Sequence, residues 1–406
     1  MLLIIRNLNT TRIKLKGEGI LSYKTRATWA EINIDSLKQN YKNIKKLLKE
    51  DTKICGVVKA NAYGHGSVQI AKTLVSEGVD YLAIATLEEG IELRNNDIEV
   101  PILCLGYIQE NCFDLAVEND IDITIYKNES AQSLNKVSEQ KNKKARVHIK
   151  LDTGMSRLGF PINDETVDSI ERICGYSNLN VVGIYSHFAM ADETDKTFTN
   201  MQFDKYKYIT NKLENRGIKI PIKHICNSAG IMDCPEYHLD MVRSGIILYG
   251  HYPSDDVMKD RIDLKPVMTL KTTVSNIKTV DSNTGISYGQ KYRTKSLSQI
   301  ATVPIGYADG FTRMLNQNAN MKVKDKLVPV VGRICMDQCM IKVDGLDIRI
   351  GDEVKIFGEE ADVKIERLAD SLNTINYEVL CMISRRIPRV YLEGNRVLHI
   401  LDYLIK

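Results

Sequence analysis

Residues 54–66, ICGVVKANAYGHG, pass from five apolar residues straight into Lys59 and then into a stretch holding two glycines. A run of that length, bounded that way, reads as a buried strand. Behind it, VQIAKTLVSEG at 68–78 carries apolar residues at three and four spacing and closes on Gly78, the pattern of an amphipathic helix with its C-terminal stop. The alternation then repeats through YLAIA (81–85), ILCLG (102–106), ITIY (123–126), VHIKL (147–151), VVGIYSHF (181–188), KHICN (223–227) and VRSGIILYG (242–250). Eight such strands with helices between them, over about 220 residues, imply an α/β fold whose parallel sheet closes into a (β/α)8 TIM-type barrel. Counting runs leaves a doubly wound open sheet as the alternative, although no G-x-G-x-x-G follows the first strand. Two helix starts are expected at Asp35, before SLKQNYKNIKKLL, and at Thr86, before LEEGIELRN.

Beyond about residue 262 the texture changes. MTLKTTVSNIKTV, SQIATVPIG, KLVPVVG, CMIKVDG and DEVKIF alternate apolar and polar residues with turn formers between them, interrupted by the helical IERLADSL and closed by HILDYLI. A barrel domain over 27–260 and a β-rich C-terminal domain over 261–406 are expected, the change falling near Pro253 to Pro266. The first strand, 28–34, is a candidate member of the second domain. Residues 1–26 read as an N-terminal extension, most of it a disordered tail.

With 43% apolar and 26% charged residues, the chain has material for large cores. Its net charge of +3 is small for 406 residues, and its lysines are scattered along helices, so nucleic acid is not an expected partner. Nine cysteines, odd in number and without C-x-x-C spacing, sit mostly in apolar runs, which suits a reducing cytoplasm. Cys335 and Cys339 read as buried strand packing, and no metal is assigned. MLLII at the start is too short for a signal peptide, and no run of about 18 apolar residues offers a membrane span.

Lys59 stands where a barrel puts a residue at the C-terminal mouth of a strand. An amine partly desolvated there stays neutral, as Schiff-base formation with an aldehyde requires. The plainer reading is a lysine that reaches from a strand end into water, and position alone favours it.

VVKANAYGHG changes that balance, because it resembles the lysine motif of the alanine racemase family, enzymes that use pyridoxal phosphate. Further resemblances follow in order: TWAEINIDSLKQNY, HIKLDTGMSRLGF, GIYSHFAMADE, HICNSAG, MVRSGIILYG, GISYGQKY, VPIGYADG, VGRICMDQCM and TINYEVLCMISRRIPRVY. Together they cover about residues 27–391.

The resemblance implies that Lys59 binds pyridoxal 5'-phosphate as a Schiff base and works on one face of the substrate Cα, with Tyr288 on the other. Racemisation needs two such groups, since one base returning the proton to its own face regenerates the starting enantiomer. Arg243 corresponds to the arginine at the pyridine nitrogen, with His187 near the ring and His224 supporting the arginine. Tyr63, Asn227, Ser228, Tyr377 and the backbone N–H groups of Gly245 and Ile246 correspond to the cofactor's phosphate site. Arg157 corresponds to the arginine that steadies the cofactor's phenolic oxygen and reaches the substrate carboxylate, held by a lysine that is often N-carboxylated, here Lys150. Ser156 replaces a glycine of many relatives and is expected to perturb little.

Met336 corresponds to the residue whose N–H binds the substrate carboxylate, beside Asp337. In the family Tyr288, Tyr307 and Met336 reach the site from a second subunit, which implies a homodimer with shared sites. Asp192, Arg313 and Arg333 match positions at the entrance. The implied reaction is interconversion of L- and D-alanine, supplying D-alanine for peptidoglycan. Tyr377 crowds the α-substituent and favours alanine over serine, with Met190 and the entrance residues as modifiers. The competing readings are a decarboxylase of basic amino acids on the same two-domain plan, which the SYG and DTGMSRLG blocks disfavour, and a non-catalytic pyridoxal phosphate carrier, which the second domain disfavours.

Overall fold

The computed structural model describes residues 26–394 and 396–405, so the expectation of a disordered tail over 1–25 lies outside the described residues. After a first strand β1 (Thr28–Asn33), eight parallel strands follow: β2 (Lys53–Val57), β3 (Tyr81–Ile84), β4 (Ile102–Cys104), β5 (Ile121–Ile125), β6 (Ala145–Lys150), β7 (Leu179–Tyr185), β8 (Ile222–His224) and β9 (Met241–Ser244). Each pairs in parallel with its neighbour from β2 through β8, and β2 pairs also with β9. Between β8 and β9 the gap is bridged by the Asp240 N–H to the Lys223 carbonyl (3.1 Å) and the Arg243 N–H to the Cys226 carbonyl (3.0 Å), which closes the barrel. Every residue of β3, β4 and β5 is buried, as strands covered on both faces require.

The helices between the strands are held by local chemistry as well as by their apolar faces. The Asn163 side chain accepts from the Thr166 N–H at the start of Asp164–Cys174, and Thr86 with Glu89 forms a capping box for Leu87–Arg94. The first helix, Ile34–Lys46, begins earlier than expected. Asn33 rather than Asp35 caps it, taking the Ser36 N–H, while Asp35 accepts from the Gly394 N–H. The run VRSGIILYG is not one strand either: it becomes a 3-10 turn at Ile246–Tyr249, because Gly245 bends the backbone away from the sheet.

Ten of the remaining strands form one sheet, with β1 in its interior, and two short ones, Gly285–Ile286 and Tyr292–Arg293, form a separate antiparallel pair. β1 runs antiparallel to Met268–Thr273 and parallel to Arg389–Glu393, so the chain's first described strand is clasped by two late ones. Cys339 lies buried in the strand Cys339–Lys342, whereas Cys335 falls in the loop before it.

Candidate active site

Lys59 leaves β2 into a backbone that L-residues rarely adopt. Ala60, Asn61, Ala62 and Tyr63 have φ of 53°, 56°, 52° and 50°, a full left-handed turn built without glycine. Its bonds are regular, Ala62 N–H to the Val58 carbonyl (2.9 Å) and Gly64 N–H to the Ala60 carbonyl (3.0 Å). At about 1–2 kcal/mol per residue, four such residues store roughly 4–8 kcal/mol that surrounding contacts must offset. The Glu89 carboxylate supplies one, accepting the Ala60 N–H at 2.5 Å and the Ala85 N–H at 2.8 Å. Burial, with the Arg157 guanidinium second, holds the half-buried Lys59 ammonium below its ordinary pKa.

Arg243, on β9, is buried and lies in no salt bridge among the described residues. Its guanidinium spends its hydrogens on neutral acceptors: His224 Nδ1 (2.8 Å), His187 Nδ1 (3.0 Å) and the carbonyls of Ser186 (2.8 Å) and Ile225 (3.0 Å). Because a guanidinium can only donate, it fixes the histidine tautomers. His224 Nδ1 must be bare, so Nε2 carries the proton and donates to His148 Nδ1 at 3.0 Å. His148 in turn aims Nε2–H at the buried Asp122 carboxylate, 3.4 Å away, a long contact, and Asp122 is held on its other side by Arg146 at 2.7 Å. Burial, then Arg243, keeps His224 and His187 neutral, with pKa values well below the ordinary histidine value.

A small cradle adjoins this array. The Gly245 N–H donates to Ser228 Oγ (3.0 Å), and a Cβ at Gly245 would stand 2.9 Å from Tyr63 Oη. Tyr377 packs 6.0 Å from the Tyr63 ring, and neither phenol oxygen has a hydrogen-bond partner among the described residues. Ile246 opens the 3-10 turn after Gly245, so the turn itself gives its N–H no acceptor, and both residues are buried. Asn227 is brought here too, but its side chain is already engaged, capping Ser228–Asp233 and donating to the Phe188 carbonyl (3.2 Å). The amine, the hydroxyls, the backbone donors and a guanidinium without a carboxylate partner among the described residues fit an aldehyde cofactor bearing a phosphate.

Lys150, at the end of β6, is buried with its ammonium on the Leu151 carbonyl (2.8 Å) and 5.1 Å from the Tyr185 ring centre. Burial, aided by Arg243, lowers its pKa to about 7. Arg157 is exposed, and its charge is felt by both Lys59 and Lys150. Ser156 beside it has φ of 57° and donates its N–H to Asp152 Oδ1 (3.0 Å), so this position carries backbone strain that the sequence alone does not reveal. Asp192 lies close enough to Tyr377 to raise its pKa further, after burial.

Tyr288, Tyr307 and Met336 gather elsewhere, on the ten-stranded sheet's side of the molecule. Tyr288 is 69% exposed, Met336 53% and Tyr307 41%. Ser287 Oγ donates to the Arg333 carbonyl (2.6 Å), and the Tyr307 and Ala308 N–H groups bond the carbonyls of Cys335 and Met336, tying these loops together. Asp337 pairs with Arg386 (2.8 Å), and Arg313 is exposed. No hydrogen bond or ring contact joins Tyr288 to Lys59 within one chain among the described residues.

Glu89, Asp122 and His148 belong to this site and escaped the sequence reading. Each looks like an ordinary helix or strand residue, and only the packing of separate barrel segments brings Glu89 beside the turn after Lys59 and links Asp122 and His148 to Arg243 through His224.

Two family descriptions match the chain, "Alanine racemase, N-terminal domain" over residues 32–253 and "Alanine racemase, C-terminal domain" over 267–391. An alanine racemase of Methanococcus maripaludis is 51% identical over 90% of this chain and 98% of its own length. Among solved structures, the alanine racemase of Clostridium difficile 630 superposes with a TM-score of 0.92 at 53% identity, covering 94% of this chain and 100% of that one. That of Bacillus anthracis with bound L-Ala-P gives 0.89 at 34% identity, covering 94% and 99%.

Proposed function

The chain belongs to the alanine racemase family and is an amino-acid racemase, and from that premise we propose that it interconverts L- and D-alanine with pyridoxal 5'-phosphate attached at Lys59. The observation that carries this reading is the company Lys59 keeps: a desolvated amine at a barrel mouth, shared with an Arg243 that has no carboxylate partner among the described residues and with a cradle of Tyr63, Ser228 and Gly245. When bound, the cofactor supplies the delocalisation that makes a substrate Cα proton removable. The protein supplies placement. Tyr63, Ser228, Tyr377 and the N–H groups of Gly245 and Ile246 hold the phosphate. Arg243, fixed by His224 and His187, presents a permanent cation to the ring nitrogen, which keeps that nitrogen unprotonated and restrains side reactions. Lys59 Nζ moves the proton on one face of Cα, and the Tyr288 hydroxyl on the other.

Tyr288, Tyr307 and Met336 serve the site of a second copy of the chain. Their exposure and their lack of any bond to Lys59 support that assembly: a homodimer with two shared sites. Met336 binds the substrate carboxylate through its N–H, with Asp337 held beside it by Arg386. Asp192, Arg313 and Arg333 line the approach. Lys150, with a pKa of about 7, is partly neutral at physiological pH and adds CO2 through nitrogen, losing a proton to become an anion facing Arg157. Tyr377 limits the α-substituent, favouring alanine over serine. The product supplies D-alanine for peptidoglycan. A cytoplasmic setting is inferred from nine cysteines without a disulfide, and no helix among the described residues is long and apolar enough to cross a membrane.

The deciding experiment adds pyridoxal phosphate to the purified chain, follows the visible absorption band, and measures D-product from L-alanine and L-serine separately. A band with D-alanine formation is expected. A chain that stays colourless refutes the cofactor, and faster turnover of serine refutes the substrate.

A further inference from the structure

The left-handed turn after Lys59 is gripped by residues more than three hundred positions later. Arg389, fully buried, has no carboxylate partner among the described residues; its guanidinium is shared among four backbone carbonyls. Nε reaches the Gly64 carbonyl (2.9 Å), while Nη1 and Nη2 hold those of Ser384 (2.6 Å), Ile387 (2.5 Å) and Ile383 (2.7 Å). Two residues on, Tyr391 Oη donates to the His65 carbonyl (2.9 Å). Tyr403, whose ring lies 5.6 Å from the Arg389 guanidinium carbon, donates to Asn61 Oδ1 (3.0 Å), inside the turn itself.

The fit is close on both sides. A Cβ at Gly66 would fall 1.9 Å from Tyr391 Oη, and one at Gly64 would fall 2.5 Å from the Leu380 carbonyl oxygen, so this backbone packs without slack. A strained segment keeps its shape only when its surroundings over-determine it. Here the surroundings come from the closing hairpin of the other sheet.

We propose that Arg389, Tyr391 and Tyr403 are positioning residues that latch the left-handed turn and thereby aim Lys59 Nζ into the barrel mouth. This rests on the reading of Lys59 as the cofactor-binding amine. Without the latch the turn relaxes toward right-handed backbone, and the amine samples directions in which it meets neither an aldehyde nor a Cα proton. The latch therefore acts on reactivity in the folded protein, beyond any contribution to folding.

The test compares Tyr403→Phe, Tyr391→Phe and the double variant with Glu393→Gln. The last disturbs the same hairpin through its ion pair with Lys38 (2.7 Å) and leaves the turn untouched. Pyridoxal phosphate is added, the adduct is fixed by hydride reduction at timed intervals, and the modified lysine is mapped by mass spectrometry; kcat, KM and Tm are measured alongside. Each single variant is expected to slow attachment at Lys59 and kcat by about fivefold, the weight of one buried hydrogen bond. The double variant loses roughly twentyfold with KM nearly unchanged, and Glu393→Gln matches the parent. Should the double variant fail to fold, Tyr403→Phe, at a half-buried ring, decides alone. Parental attachment rates in Tyr403→Phe or the double variant overturn the latch, as does an equal slowing in Glu393→Gln. If the parent chain is modified at some lysine other than Lys59, both the reading of that residue and the latch fall together.

Discussion

At the barrel mouth Lys59, Lys150, Arg243, His187 and His224 crowd together, and none of them has a salt-bridge partner among the described residues. On the second sheet Tyr288 and Met336 stand in solvent, 69% and 53% exposed, held by loop hydrogen bonds alone. The first region is desolvated and set within a single chain, while the second has its backbone tied down and its side chains in solvent. In the proposed homodimer one chain carries half of two sites: a complete half around Lys59, buried within the chain, and a half around Tyr288 that gains its surroundings on assembly.

The largest expected effect attacks the complete half. Lys59→Ala should cut D-alanine formation by about 10⁴-fold or more, since on the proposed mechanism it removes the attachment point and one of the two proton-transfer groups. Residual turnover within tenfold of the parent would remove Lys59 from the mechanism. Tyr288→Phe attacks the other half. It should lower kcat by about 10²–10⁴-fold while leaving cofactor attachment intact. Mixing the two inactive variants sharpens the contrast between the regions. If the halves come from different chains, random reassortment leaves roughly a quarter of all sites unmutated, and activity returns in the mixture. A mixture that stays dead, with exchange verified by native mass spectrometry, would mean that both residues serve the site of their own chain.

A smaller effect tests how deep the mouth's order runs. The proton placement from Arg243 through His224 and His148 ends at Asp122, and Asp122→Asn removes the anion while preserving shape. An asparagine can turn a donor toward His148, reverse both tautomers and set an N–H against the Arg243 guanidinium. A loss of about tenfold in kcat is expected, the weight of one displaced charge-assisted hydrogen bond. Nitrogen-15 NMR of the histidines should report the changed tautomers. Unchanged histidine shifts would mean that the ordered protons stop at His224.

Much of this contrast was legible in the sequence, and the reasons differ between its parts. The barrel was readable because strands buried on both faces leave unbroken apolar runs, and the mouth residues sit at the ends of those runs. Closure was not readable, since it depends on two hydrogen bonds between β8 and β9. Nor was the left-handed turn, because KANAY contains no glycine and alanine favours the opposite hand. Asp122 reads as a polar residue in IDITI, and only the neighbouring strand shows that it faces His148.

Lys150 offers a milder test at the mouth's edge. With a pKa of about 7, set mainly by burial, it is an ammonium below that pH and a nucleophilic amine above it. Addition of CO2 should fall off as pH drops through about 7 and level above it, followed by the carbonyl signal of carbon-13 bicarbonate in NMR. The sign of the stability effect is set the same way. The folded pKa lies below the unfolded lysine value of about 10.4, so the unfolded chain binds the extra proton between the two, and stability rises with pH across that window. Carbon-13 incorporation indifferent to pH from 6 to 9 would separate Lys150 from the desolvated group at the mouth.

The smallest expected effect concerns Ser156, one residue from Arg157. Its φ of 57° lies in the left-handed region, and its N–H is anchored to Asp152 Oδ1 at 3.0 Å, so the backbone has no freedom to relax away from the strain. Glycine adopts this conformation without the Cβ penalty but gives up more freedom on folding, and the two contributions partly cancel. Ser156→Gly should therefore stabilise the protein by about 0.5–1 kcal/mol, a rise of one to a few degrees in Tm. Because the exposed Ser156 side chain holds nothing at the mouth, kcat should stay within about twofold of the parent. A lower Tm would show that the hydroxyl makes an interaction that outweighs the strain. A changed kcat at raised Tm would show that the strain itself tunes Arg157, extending to this loop the principle proposed for Lys59, where an unfavourable backbone is held in place for what it points at.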